Sequence, residues 1–150
     1  MAQSLSCILI HLIFSTKMRQ PLIPSDVKQE LHSYMAGISR SQDAFVHEIG
    51  WTEDHTHLLV SLPRTLCLSK LIEEIKRGSS KWIKTKGEQY RLFAWQNGYG
   101  AFSIGQSNYD ALRRYIQNQV EHHKKVSFQD EFRSFLKKYK VPYDEKYVWD

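Results

Sequence analysis

Apolar positions over residues 5–16 fall on both sides of an extended chain. Ile8, Ile10, Leu12 and Phe14 share one side, and Cys7, Leu9, His11 and Ile13 the other. Because strand side chains alternate at period two, the stretch predicts a strand covered on both faces. The period then changes. Val27, Leu31, Tyr34, Met35 and Ile38 recur at helical spacing, behind Pro24-Ser25-Asp26, where Ser25 or Asp26 predicts the N-cap. Gly37 and residues 39–43 predict the end of that helix. Residues 44–51 read as a second strand. Thr52-Glu53-Asp54 then turns the chain into a third, residues 54–62, which predicts an antiparallel hairpin.

Pro63 stops the third strand, and residues 66–86 predict a helix with Leu68, Leu71, Ile72, Ile75, Trp82 and Ile83 as its apolar stripe. Its other side carries Lys70, Lys76, Arg77, Lys81, Lys84 and Lys86, with Gly78-Ser79-Ser80 predicted to interrupt it beside the charges. Residues 93–104 predict strand, glycine-containing turn and strand around Trp95, Tyr99 and Phe102. Ser107 or Asn108 caps a helix to about residue 125, and a last helix covers 129–139 through Phe132, Phe135 and Leu136. The aromatic tail, 141–150, is expected to dock on the rest. The order β-α-β-β-α-β-(β)-α-α fits an α+β fold: a ferredoxin-like antiparallel sheet with helices packed on it and extra C-terminal helices.

Composition narrows the class. A chain of 150 residues suits one domain, residues 1–150, and can bury about 70% of its unfolded surface. Aromatic residues make up 13%, which argues against disorder. The net charge of +5 favours a polyanionic partner. Cys7 and Cys67 lie in apolar stretches without a CxxC spacing, predicting buried free thiols in a reducing cytoplasm. The longest apolar run, 5–14, is broken by Ser6 and His11 and is too short to span a bilayer. It has no basic leader or cleavage site, so neither a signal peptide nor a membrane protein is expected.

Candidate chemistry centres on the third strand. His55 and His57 share a face with Leu59 and Ser61, about 6–7 Å apart along a strand, close enough for both rings to reach one metal ion. The same pair also fits a plainer role, as polar groups at a strand mouth. His11 is either a satisfied polar residue inside the sheet or a neighbour of that pair. On the helix after Asn108, Tyr115 and Gln119 stand i, i+4 on one face, with His122 extending it and Leu112, Ile116, Val120 and His123 packing inward. Tyr115, flanked by Arg113 and Arg114, is equally a half-buried structural tyrosine. Lys17 and Arg19 at the first strand's exit are phosphate contacts or solvated loop charges.

Five blocks together resemble a known family. They are Ile10-His11-Leu12-Ile13-Phe14-Ser15-Thr16-Lys17-Met18-Arg19, Asp54-His55-Thr56-His57-Leu58-Leu59-Val60, residues 76–82, Gly98-Tyr99-Gly100-Ala101-Phe102-Ser103-Ile104, and Tyr115-Ile116-Gln117-Asn118-Gln119. In order and spacing the chain resembles the single-tyrosine HUH transposases of small insertion sequences, which move single-stranded DNA. The family's paired-histidine motif has a hydrophobic middle residue, and Thr56 departs from it while pointing away from the histidine face.

The resemblance implies that His55, His57 and Gln119 hold a divalent metal, Mg²⁺ or Mn²⁺, and that Tyr115 is the nucleophile forming a 5′-phosphotyrosine. A third histidine, His11 or His122, would suit zinc better. The basic residues Lys17, Arg19, Lys76, Arg77, Lys81 and Arg114 are the expected DNA contacts. A homodimer with shared active sites, acting on hairpin-bearing element ends, is implied as well. Three other readings stand beside this one. They are a domesticated repeat-associated relative, a non-catalytic nucleic-acid-binding module, and, more distantly, a zinc hydrolase using Asp54 or Glu53.

Overall fold

The computed structural model describes residues 2–150. Its four strands are β1 (Leu9–Ser15), β2 (Phe45–Trp51), β3 (His55–Ser61) and β4 (Gly100–Ile104). They form one antiparallel sheet in the order β2-β3-β1-β4. Helices α1 (Lys28–Ser41) and α2 (Leu68–Lys84) provide the two crossovers, so the first six elements follow the ferredoxin-like order. Three further helices follow β4: α3 (Tyr109–Gln117), α4 (Gln119–His123) and α5 (Phe128–Lys138).

Strand alternation sorts the core into two layers. Leu12, Phe14, Leu58 and Val60 face α1 and α2, where they pack with Leu31, Met35, Leu71, Ile72 and Ile75. The alternate residues face the C-terminal helices. Leu9 and Leu59 meet Leu112 and Ile116, while Ile13 and Phe102 meet Phe128, Phe132 and Leu136. Each such fully buried aliphatic side chain contributes about 1.5–3 kcal/mol of transfer free energy. His11, His55 and His57 lie on this second face, between its two apolar clusters, and all three are buried.

Several sequence expectations are corrected. β1 begins at Leu9, leaving Leu5 and Cys7 exposed, and Cys67 is exposed as well; neither thiol is part of the core. Gly37 sits inside α1, whose N-cap position is Val27 without a side-chain cap. α2 runs unbroken through Gly78, where a Cβ would press on Ile38 of α1; the adjoining Ser79 bonds back to Ile75 O and accepts from Trp95 Nε1. The glycine admits a neighbouring helix; it opens no gap for phosphate. The first half of 93–104 is a loop, tied to the end of β1 by Gln96, which bonds Ser15 through its N–H and its side-chain oxygen, and by a Thr16–Trp95 bridge just past the strand.

The expected single helix over 108–125 breaks at Asn118, with φ −99° and ψ 21°. Its N–H bonds to Arg114 O and Tyr115 O, and its own carbonyl accepts from His122 N. The pivot leaves Val120 exposed where inward packing was expected. α5 starts one residue before the expected 129 because Ser127 caps it, accepting from Asp130 N at 3.1 Å. The tail docks through Glu145, which pairs with Arg133 of α5, and through its last residues. Trp149 packs edge-on against Phe128 and tilted against Phe132, and Asp150 O accepts from Gly98 N.

Candidate active site

β3 presents His55 and His57 to the space beneath the C-terminal helices, as its alternation requires. α4 brings His123 down on them from one side, and the first turn of α5 brings Glu131. One ligand atom from each of these four residues lies within 4.8 Å of the others. Glu131 Oε1 is the common neighbour, 2.9 Å from His57 Nε2, 3.2 Å from His123 Nε2 and 3.7 Å from His55 Nε2. Its other oxygen accepts the phenolic hydrogen of Tyr115 and lies 3.1 Å from His122 Nε2. Gln119 reaches the same space, its amide oxygen 2.9 Å from His123 Nε2 and 3.4 Å from His55 Nε2.

Each imidazole is oriented from behind. His55 Nδ1 lies 2.7 Å from Asp54 Oδ1 and 2.8 Å from Thr52 Oγ1. His123 Nδ1 donates to Val126 O at 2.7 Å. His57 Nδ1 faces His11 Nε2 at 2.9 Å. A carbonyl only accepts, so neutral His123 turns a lone pair inward from Nε2, and the Asp54 carboxylate imposes the same tautomer on His55. Yet these two Nε2 atoms are 2.9 Å apart. Two lone pairs at that distance repel unless a proton or a metal cation lies between them. Outer partners on Nδ1 with inward Nε2 donors are what metal-ligating histidines show.

The spacing fits a metal. A cation about 2.1 Å from each ligand separates adjacent donors by roughly 3.0 Å in an octahedron and 3.4 Å in a tetrahedron. The distances from Glu131 Oε1 to the three imidazoles span that range.

The electrostatics agree. Burial holds His57 down to about 4 despite the neighbouring carboxylate, so it is neutral near pH 7. Burial also opposes the charged form of His123, but hydrogen bonding to and the charge of Glu131 outweigh it and raise its pKa. For Glu131, burial favours the neutral acid; His123 and His57 overcome this and hold it far below the usual carboxylate range. The Tyr115 phenol is pushed well up, by burial first and then by the Glu131 charge. Without added positive charge, that hydroxyl stays protonated.

The expected set Tyr115, His55, His57 and Gln119 is therefore brought together, within one chain. The resemblance implied sites shared across a dimer; here the tyrosine and the histidine pair of the same chain meet, with ring centroids of His57 and Tyr115 5.9 Å apart. Tyr115 and Gln119 stand on separate short helices and not on one continuous face. Sequence reasoning missed His123 as an inward donor and missed Glu131 entirely. The sequence placed His123 on the inward stripe, but as a packing residue and not as a donor.

The expected DNA contacts divide. Lys17, Lys81 and Arg114 are exposed. Arg77 is exposed but paired with Glu74 at 2.6 Å. Arg19 lies over the Trp149 ring, at 5.6 Å. Lys76 turns inward, donating to Gln96 O and Gly98 O at 2.9 and 2.6 Å, and burial lowers it to about 8. It secures the loop before β4 and is not placed as a phosphate contact. On the outer side of His55 and His123, a cleft of about 400 Å³ is lined by Asp54, Lys124, Ser127 and Phe128.

The sequence pattern of the family described as "Transposase IS200 like" matches residues 4–119. No curated protein matches the chain. A candidate transposase from Deinococcus radiodurans R1, known from its crystal structure, is 18% identical over 79% of this chain and 95% of its own, with a TM-score of 0.62. A REP-associated tyrosine transposase, solved bound to a REP hairpin, is 16% identical over 84% of this chain and 76% of its own, with a TM-score of 0.61.

Proposed function

The chain belongs to the IS200-like transposase family, and from that premise we propose that it cuts and rejoins single-stranded DNA with Tyr115 as the nucleophile. The observation that carries this reading is the meeting of the Tyr115 hydroxyl and three imidazoles on one buried carboxylate. A purely structural tyrosine needs one hydrogen-bond partner; it does not need a nest of inward-facing histidines.

In the proposed reaction the Tyr115 oxygen attacks a backbone phosphorus. A tyrosine–phosphate bond forms, the bond to the 3′ oxygen breaks, and the leaving strand departs as a 3′-hydroxyl. The phenolic proton passes to Glu131 Oε2, which already accepts its hydrogen bond, and the departing 3′ oxygen takes up one proton from water to become the hydroxyl. The phosphotyrosine conserves the bond energy, so attack by a 3′-hydroxyl on it rejoins DNA without ATP. His55 and His57 are the histidines proposed to hold a divalent metal. When bound, the ion neutralises charge on the phosphate and lowers the cost of the phenolate. Asp54 orients the His55 ring and the Val126 carbonyl the His123 ring, so that neither needs to turn at the moment of reaction.

Lys124, exposed beside the cleft next to His55 and His123, and Arg114, one residue before the nucleophile, supply positive charge where a strand would enter. The solved relative bound to a REP hairpin supports a hairpin-bearing single strand as substrate. Because one chain gathers the tyrosine and the histidines, the chemistry is proposed to need no partner subunit. Incubation with single-stranded oligonucleotides and Mn²⁺ or Mg²⁺, followed by a denaturing gel, tests the reading. A protein–DNA adduct is expected, and its absence across a diverse hairpin pool with both ions would contradict it.

A further inference from the structure

His123 and Glu131 lie beyond the family-matched residues, which end at 119, yet both enter the centre of the site. Glu131 is 3% exposed and its Oε1 is within 3.7 Å of all three inward imidazole nitrogens. Gln119, the ligand that the resemblance implies, has its amide oxygen near only two of them, His55 and His123. Its amide nitrogen is turned to Glu131 Oε2 and Tyr115 O, both at 3.4 Å. A carboxylate is also a stronger donor to a dication than a neutral amide.

We infer that His123 and Glu131 are metal ligands alongside His55 and His57, with Gln119 as a supporting group behind them, and that this centre prefers a transition-metal dication to Mg²⁺. The inference rests on the site being a metal site, as proposed above, and names who holds the ion. Three imidazoles and one carboxylate form a nitrogen-rich set. Imidazole suits zinc, iron, nickel and copper, whereas Mg²⁺ favours oxygen ligands and retained water. Carboxylate keeps Mn²⁺ and Co²⁺ within range. With Oε1 on the ion, Oε2 remains on Tyr115, so one side chain sets the distance between metal and nucleophile.

Co²⁺ is the probe, because its visible ligand-field bands report coordination without any DNA or turnover. Full-length protein titrated with Co²⁺ should develop those bands, and Mg²⁺ should fail to displace the ion at concentrations where Zn²⁺ does. His123→Ala and Glu131→Gln should each weaken Co²⁺ binding by more than about 100-fold, beyond the 10–100-fold typical of outer-sphere partners. Gln119→Ala should stay within about 10–100-fold, the range of an outer-sphere partner. Because removing a buried group can disturb folding, His123→Cys offers a positive readout: a new thiolate-to-cobalt charge-transfer band, absent from wild type with its Cys7 and Cys67.

The failures separate. If His57→Ala abolishes Co²⁺ binding while the residue 123 and 131 variants bind as wild type and His123→Cys gives no new band, this ligand assignment is overturned and the proposed function stands. If the wild type binds no Co²⁺, Mn²⁺ or Zn²⁺, or His57→Ala binds unchanged, the metal site itself is overturned.

Discussion

Tyr115 donates its phenolic hydrogen to Glu131 Oε2, and the other oxygen of that carboxylate sits 2.9 Å from His57 Nε2. Tyr115 and the histidine pair are thus coupled through one side chain, Glu131, which lies 16 residues further along the chain than the tyrosine. Glu131 is held well below the usual carboxylate range there, and its oxygen faces the hydroxyl that loses its proton in the proposed reaction.

Tyr115→Phe should keep single-stranded DNA affinity and metal-induced stabilisation while abolishing the covalent adduct, since only the hydroxyl is removed. The buried carboxylate loses one donor, so unfolding free energy should fall by about 1–3 kcal/mol. Urea denaturation and filter binding check the two halves. Wild-type adduct levels in the variant would remove Tyr115 from the reaction.

Acid should destabilise the metal-free protein. Burial lowers His57 to about 4 and His32 to about 2 from an ordinary 6.5. In the unfolded chain both protonate near 6.5, so below that pH the unfolded state holds more protons. Stability should then fall as pH drops from about 6.5 toward 4, by up to about 1.4 kcal/mol per pH unit for each group. Glu131, held below its ordinary value, adds further loss below about 4.5, while His123, raised, opposes the trend. His32 lies apart from the donor cluster, and His32→Leu should flatten the slope. A curve that is level or rises with acid over that window contradicts the assignment of these histidines as neutral.

The basic residues should separate by salt dependence. Replacing Lys17, Lys81 or Arg114 should flatten log K against log salt by about one unit for each phosphate that the side chain neutralises. Lys76→Met should leave that slope unchanged and lower stability by about 1–3 kcal/mol through the carbonyls it abandons. A slope change for Lys76 with unchanged stability would reverse the assignment.

Much of the frame was legible because it is written at short range. Period-two alternation set the faces of β1 and β3, and the Thr52-Glu53-Asp54 turn fixed the hairpin that places His55 and His57. What was not legible depends on tertiary placement. Asn118 is a poor helix former, but its local sequence does not say that the helix breaks there and turns Val120 outward while His123 keeps the inward position its spacing predicted. Glu131 reads as an ordinary first-turn acid of a capped helix. Only docking of α5 on the sheet turns it into the centre of the site. Lys76 likewise belongs to a basic surface pattern until the loop carbonyls of residues 96–98 are placed against it.

Complementation distinguishes a site within one chain from a shared one. Tyr115→Phe protein mixed or co-expressed with His55→Ala/His57→Ala protein should remain inactive, because each chain then carries a lesion in its own site. Restored adduct formation would show that the tyrosine of one chain serves the histidines of another.

The most direct test of the central claim is to map the covalent bond. A hairpin oligonucleotide labelled at either end is incubated with the metal-loaded protein, and the adduct is digested and sequenced by mass spectrometry. The phosphate should be found on Tyr115, with the label retained only when it lies on the 3′ side of the cut, and with a free 3′-hydroxyl on the released piece. A bond to another residue, a 3′-linked phosphate, or cleavage without any protein-bound intermediate would contradict the account.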